Sequence, residues 1–186
     1  MSHVYLDHNA TTPVHERVLE AMLPYMRGRY GNASSRHELG TQARNAVNVA
    51  REQVAALVNV QPSQVIFMSG GTEANNLFVK GAAGYLKPTQ IAVSAVEHPC
   101  VAKPTQELAR LGWKVRRLAV TPDGEIDMDD VAAALKEPTG IVSLMRANNE
   151  TGVIQDVASV AERARALRDR RSQLLVSGIA RFRAAW

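Results

Sequence analysis

The stretch Val65-Ile66-Phe67-Met68-Ser69-Gly70-Gly71-Thr72-Glu73 decides the fold: an apolar, β-rich run breaks there on two adjacent glycines, and a helix-spaced segment, Glu73–Tyr85, follows at once. The same change of period recurs downstream. Val65–Met68, Ile91–Ser94, Lys114–Leu118 and Ile141–Met145 read as strands, and Val101–Leu111 and Met128–Leu135 as helices, with Asp127 placed to cap the last. Strand then helix, repeated, predicts an α/β fold with a mainly parallel sheet, flanking helices and right-handed crossovers. Upstream, Ala43, Val47, Ala50, Val54 and Leu57 have the spacing of a helix over Gly40–Val58 with one buried face. Val14, Val18, Met22 and Met26 predict another helix after Pro13, disturbed at Pro24.

Bulk properties set the frame. With 186 residues, 46% apolar and 22% charged, the chain has ordinary globular composition and enough length for one sizeable core, so one domain is expected. The net charge of +4 is unevenly placed: from Glu162 onward seven arginines and two acids give +5, leaving −1 for residues 1–161. No basic-aromatic stripe or groove-reading motif accompanies those arginines, which argues against a nucleic-acid partner. No run approaches the ~20 apolar residues of a membrane span, and the start carries His3, Asp7 and His8 where a secretory leader would be apolar. A single cysteine, Cys100, excludes an intramolecular disulfide. The expectation is a soluble, cytoplasmic protein.

Parallel α/β sheets place ligands where loops and helix N-termini meet at the carboxyl ends of strands. Three polar clusters fall there: Ser69-Gly70-Gly71-Thr72-Glu73, Glu97-His98 and Asn148-Asn149-Glu150. Glycines between strand and helix let backbone N–H groups approach an anion, and Thr72 adds a hydroxyl. Each cluster also has a purely structural reading. The glycines make a tight turn before an ordinary helix, His98 is a hydrogen-bonded structural histidine, and the asparagines form a turn before Gly152. No metal-ligand pattern enters either reading.

Four stretches occur together: Tyr5-Leu6-Asp7-His8-Asn9-Ala10-Thr11-Thr12-Pro13, Ser69-Gly-Gly-Thr-Glu-Ala-Asn-Asn76, Glu97-His98 and Asn148-Asn-Glu-Thr-Gly152. With Gly31-Asn32, Ser34-Ser35, His37 and Ile126-Asp127, they resemble the cysteine desulfurases of the class V aminotransferase group, from about Val4 to about Leu167. The resemblance implies a fold-type I pyridoxal-phosphate enzyme that removes sulfur from L-cysteine, giving alanine and an enzyme persulfide for iron–sulfur or other sulfur transfer. It assigns Gly71 and Thr72 to the cofactor phosphate. His98 matches the histidine that stacks on the pyridine ring and assists proton transfer, and Asn149 matches the asparagine that hydrogen-bonds the phenolic oxygen. A sulfur acceptor protein and a homodimeric full-length form are implied as well.

Departures matter as much. Arg146 stands where a histidine is common, and Cys100 is expected to be a bystander, since the family's persulfide carrier lies far downstream. The lysines, at 80, 87, 103, 114 and 136, lack the Ser-His-Lys setting of the family's Schiff-base lysine, and the last acid is Asp169. Leu174-Leu-Val-Ser-Gly178 stands near the strand that leads to the family's pyridinium aspartate, then continues into Ile-Ala-Arg-Phe-Arg-Ala-Ala-Trp186, which resembles nothing in the family. The expectation is a partial large domain over residues 1–170 and a divergent basic tail over 171–186, truncated or frameshifted and inactive alone. The alternatives are a non-catalytic partner of a full-length paralogue, or part of a selenocysteine lyase or another class V relative.

Overall fold

The computed structural model describes residues 4–8, 11–166 and, as backbone, 175–179. The chain divides into two compact units, 1–67 and 68–186. The boundary expected at 170/171 and the ending 180–186 lie outside the described residues.

The first unit holds α1 (Glu16–Arg27), α2 (Glu38–Leu57) and a 3-10 turn (Pro62–Gln64). Each helix starts on a histidine in extended conformation, whose Nδ1 accepts a backbone N–H: His15 from Arg17 and His37 from Gly40. Helix α1 runs through Pro24, whose carbonyl accepts from the N–H groups of Gly28 and Arg29. The buried stripe expected on α2 is not found. Gly40 and Ala55 are its buried residues, while Val47, Val54 and Leu57 are exposed. Ala43, Val47 and Ala50 instead line a groove shared with Ala21 and Tyr25 of α1. Periodicity identified the helix correctly, but it cannot say which face finds a partner.

The strand expected at Val65–Met68 is also absent. A strand needs a neighbour for its backbone groups, and here Val65 spends its own locally. Val65 N donates to Pro62 O, Val65 O accepts from Arg51 Nε at 3.3 Å, and the Arg51 guanidinium lies 5.4 Å from the Phe67 ring centroid. Ile66 is left 68% exposed.

The second unit contains α3 (Gly71–Tyr85), β1 (Gln90–Ser94), α4 (Pro99–Ala109), β2 (Lys114–Leu118), α5 (Met128–Ala134), β3 (Thr139–Met145), α6 (Val157–Ala166) and β4 (Leu175–Ile179). Elements α3 to α5 and β1 to β3 match the sequence-predicted ones within two residues at each end, α6 was not predicted, and Asp127 caps α5 through N–H donations from Asp129 and Asp130. The sheet is parallel throughout, in the order β2-β1-β3-β4. Strand β1 is central and fully buried, whereas β2 at the edge carries Lys114, Arg116 and Arg117, charges that discourage pairing with another chain.

Alternation along the strands builds two cores. Ile91, Val93 and Ile141 pack with Val79 and Ala82 of α3 and with Val101 and Leu108 of α4. Ala92, Val142 and Leu144 point the other way, against Val131 and Ala134 of α5 and Val160 of α6. Each large side chain buried this way is worth about 1.5–3 kcal/mol. Gly140 lets β3 pass close beneath Trp113, since a Cβ there would lie 3.3 Å from the indole and 2.8 Å from Thr89 Oγ1. The chain leaves β1 through α4 on one face and leaves β3 through α6 on the other. The carboxyl ends of these two adjacent strands therefore lie at a topological switch point, the place where such sheets leave room for a crevice.

Candidate functional site

All four sequence-predicted site residues belong to the second unit, on the loops and helix starts around that crevice. Gly71 and Thr72 open α3, His98 is the N-cap of α4 after β1, and Asn149 follows β3. Two cross-links bring these segments together. Asn75 Nδ2, one turn into α3, donates to Cys100 Sγ in the first turn of α4 at 2.8 Å. Asn148 Nδ2 donates to Val96 O at 3.2 Å, stitching the loop after β3 to the loop after β1.

The amino end of α3 is open and has no side-chain cap. Its N-cap, Gly70, offers no side chain to the first-turn N–H groups. Glu73 reaches back to Ser69 instead, accepting from its N–H and its hydroxyl at 2.7 Å each, and these bonds, hydroxyl first, hold the Glu73 carboxyl below the usual carboxylate range. A Cβ at Gly70 or Gly71 would meet nothing within 4 Å, so the approach is open. Thr72 is exposed beside it. Uncapped N–H groups, an open approach and a neighbouring hydroxyl fit a phosphate ester.

His98 adopts extended backbone angles, and its Nδ1 accepts from Cys100 N at 3.1 Å. That bond assigns the proton of the neutral ring to Nε2. Asn148 performs the turn role read from the sequence, accepting on Oδ1 from the N–H groups of Glu150 and Thr151 at 2.9 Å, while Gly152 closes the turn at φ +77°. The half-buried Asn149 is thereby fixed next to the link with Val96. Arg146 is turned to the chain entering α6, where Nη1 donates to Gln155 O at 3.2 Å.

Three contributors were not singled out by sequence reasoning. Glu97 lies inside a recognised motif without a role, yet burial, opposed by hydrogen bonds from Ser143, Met145 N–H and His98 N–H, pushes its carboxyl up to about 7. Asn75 likewise lies inside the quoted stretch Ser69–Asn76 without a role, and Ser143 looked like an ordinary strand residue. No local pattern shows what they bond to, because their partners are 25 and 46 positions away. Other motif residues prove architectural: Ile126 N donates to Gln155 Oε1 at 2.7 Å, and Asn32 Oδ1 accepts from Ser34 N at 2.9 Å ahead of α2.

A parallel α/β sheet with an open helix start, a capping histidine and an asparagine turn at its switch point is the setting in which the family match falls. The chain belongs to the Aminotransferase class-V family, whose model matches residues 4–171. Within it, the chain is similar to cysteine desulfurase IscS of Methylobacillus flagellatus, 45% identical over 161 residues, which are 84% of this chain and 40% of that protein. It is also 44% identical to IscS of Escherichia coli O139:H28 over 168 residues, 88% of this chain and 42% of that one. Among solved structures, a NifS-like protein aligns with a TM-score of 0.89 at 34% identity, covering 95% of this chain and 49% of that one. SspA in complex with cysteine aligns at 0.85 and 30% identity, covering 92% and 49%. The chain thus spans about two fifths of the length of these curated relatives and about half of these solved chains. Among the described residues no helix is long and apolar enough to cross a membrane.

Proposed function

We propose that residues 1–170 form part of the pyridoxal-phosphate-binding large domain of a cysteine desulfurase, followed by a divergent basic tail over 171–186. The observation that carries this reading is the convergence of the uncapped start of α3 with the loops after β1 and β3, fastened by the Asn75–Cys100 and Asn148–Val96 hydrogen bonds.

Pyridoxal phosphate, when bound, supplies an electron sink for the carbanion formed from the substrate. The chain's own residues do the holding. Gly71 N–H, Thr72 N–H and the Thr72 hydroxyl would hold the phosphate at the positive end of α3. His98 would face the ring, with Nε2 left to carry a proton because its Nδ1 is engaged by Cys100 N–H. The Asn149 amide would donate to the phenolic oxygen. L-cysteine as substrate is supported by the desulfurase relatives and by the neighbour in complex with cysteine. A sulfur acceptor protein and a dimeric full-length form belong to the same reading.

For these 186 residues taken alone, the reading is cofactor recognition without turnover, because no lysine here stands in the family's cofactor-linking setting. The test is an absorbance titration with pyridoxal phosphate, then borohydride reduction and peptide mapping. Saturable binding without one stoichiometrically modified lysine is expected. A single lysine labelled to completion overturns the inactive reading, and no saturable binding overturns cofactor recognition.

A further inference from the structure

We propose that Glu97 is a positioning residue for His98, its buried side chain tying the loop that presents the imidazole to the carboxyl end of β3. Glu97 sits between the last residues of β1 and the N-cap of α4, and its backbone N–H donates to Ser94 O at 3.3 Å. Its carboxyl turns inward. Oε1 accepts from the hydroxyl of Ser143, a fully buried residue of β3, at 3.4 Å, and the carboxyl also takes backbone hydrogen bonds from Met145, the last residue of β3, and from His98 itself. The loop is thus held at both strand ends, by the Glu97 backbone at β1 and by its side chain at β3.

Its second oxygen carries the consequence. Glu97 Oε2 is buried with no hydrogen-bond partner among the described residues, and no ion pair to Glu97 occurs among them. A carboxylate left half-satisfied in a dry place is costly, so burial favours the neutral acid up to about pH 7. The titratable groups of the surrounding elements are His98 and Cys100 at the start of α4 and Arg146 after β3. Cys100 Sγ is engaged by Asn75, and the Arg146 guanidinium by Gln155 O. Glu97 therefore changes charge one residue from the imidazole. As it ionises, its bonds to the N–H groups of Met145 and His98 strengthen, and the setting of His98 follows.

The inference rests on reading His98 as the cofactor-facing histidine, so its test uses the full chain without cofactor. Nuclear magnetic resonance would follow the backbone amides of His98 and Met145 and the His98 ring from pH 5 to 9. In the wild-type chain both amides are expected to shift with a shared midpoint near pH 7, and the ring signals to show an inflection at that midpoint. In Glu97→Gln, with an unchanged circular dichroism spectrum, the amide shifts flatten and the ring loses that inflection. Ring titrations that superimpose in wild type and Glu97→Gln overturn the proposal. Should Glu97→Gln fail to fold, Ser143→Ala decides: loss of the Oε1 donor moves the shared midpoint upward, and an unmoved midpoint overturns the proposal. Failure of pyridoxal phosphate to bind would sink the functional reading while leaving these signals intact.

Discussion

Asn75 Nδ2 donates to Cys100 Sγ at 2.8 Å, fastening the first turn of α3 to the first turn of α4 across 25 positions of sequence. The bond aligns the helix start that would receive a phosphate with the helix start capped by His98. Asn75 is buried, so removing its acceptor strands a polar group, which costs more than the bond itself contributes. Cys100→Ala is expected to lower stability by about 1–2 kcal/mol, read as a shift in urea midpoint, and Cys100→Ser to recover most of it. Equal losses for alanine and serine would show that the contact does not matter.

Glu97 makes stability depend on pH with a definite sign. Its folded value, about 7, lies above the ordinary 4.5, so the native state holds a proton that the unfolded chain releases between those pH values. The contribution is therefore complete below about pH 4.5 and is lost as pH rises through 7. Urea unfolding at pH 5 and at pH 8 is expected to differ by about 2 kcal/mol from this group, with the wild type weaker at pH 8. Glu97→Gln should flatten that difference; an unchanged slope would refute the assignment.

The start of α3 allows affinity to be separated from folding. Gly71→Asp places a carboxylate in open space at the first helical position, where it complements the helix dipole but repels an anion. Unchanged or slightly raised thermal stability is expected, with pyridoxal phosphate affinity weakened at least about tenfold. A variant that binds as well as the wild type would move the phosphate elsewhere.

Asn148 combines a turn with a cross-link. Asn148→Ala removes acceptance from Glu150 N and Thr151 N and the donation to Val96 O, at an expected cost of about 1–3 kcal/mol in chemical denaturation. Asn148→Asp keeps the acceptor but not the donor, so it should fall between. An aspartate variant no worse than wild type would mean that the Val96 link is dispensable.

Glycines in the two units are expected to respond in opposite directions. A Cβ at Gly40 would lie 2.4 Å from Ser35 O, a backbone atom that cannot swing away, so Gly40→Ala should cost about 2–3 kcal/mol. Gly81, inside α3, has nothing within 4 Å, and Gly81→Ala should stabilise by about 0.5–1 kcal/mol through helix propensity. Differential scanning calorimetry of the two variants would show shifts of opposite sign.

Much of the fold was legible because its signals are local. Periodicity marked α1 to α5 but not α6, β-rich runs marked β1, β2 and β3, and Asp127 announced α5. The wording around Gly71, His98 and Asn148 pointed to the crevice and to the desulfurase family. Val65–Met68 misled because a β-rich run states a preference, and only a neighbouring strand turns it into a ladder; Arg51 and Pro62 took the hydrogen bonds of Val65 instead. The stripe on α2 misled for a related reason, since an apolar face records a capacity for burial and not a partner.

The sequence by itself determined the alternation of strand and helix, the chemistry carried by each loop and the family those loops resemble, because these depend on neighbours within about five positions. Tertiary structure alone decided that β1 and β3 lie side by side with their helices on opposite faces. It also decided that Asn75 meets Cys100 and Asn148 meets Val96, and that Glu97 is sealed against Ser143. Burial and pairing are properties of what the rest of the chain brings close. The ordinary glutamate of the sequence thus becomes, in the folded protein, a group that changes charge near neutral pH beside His98.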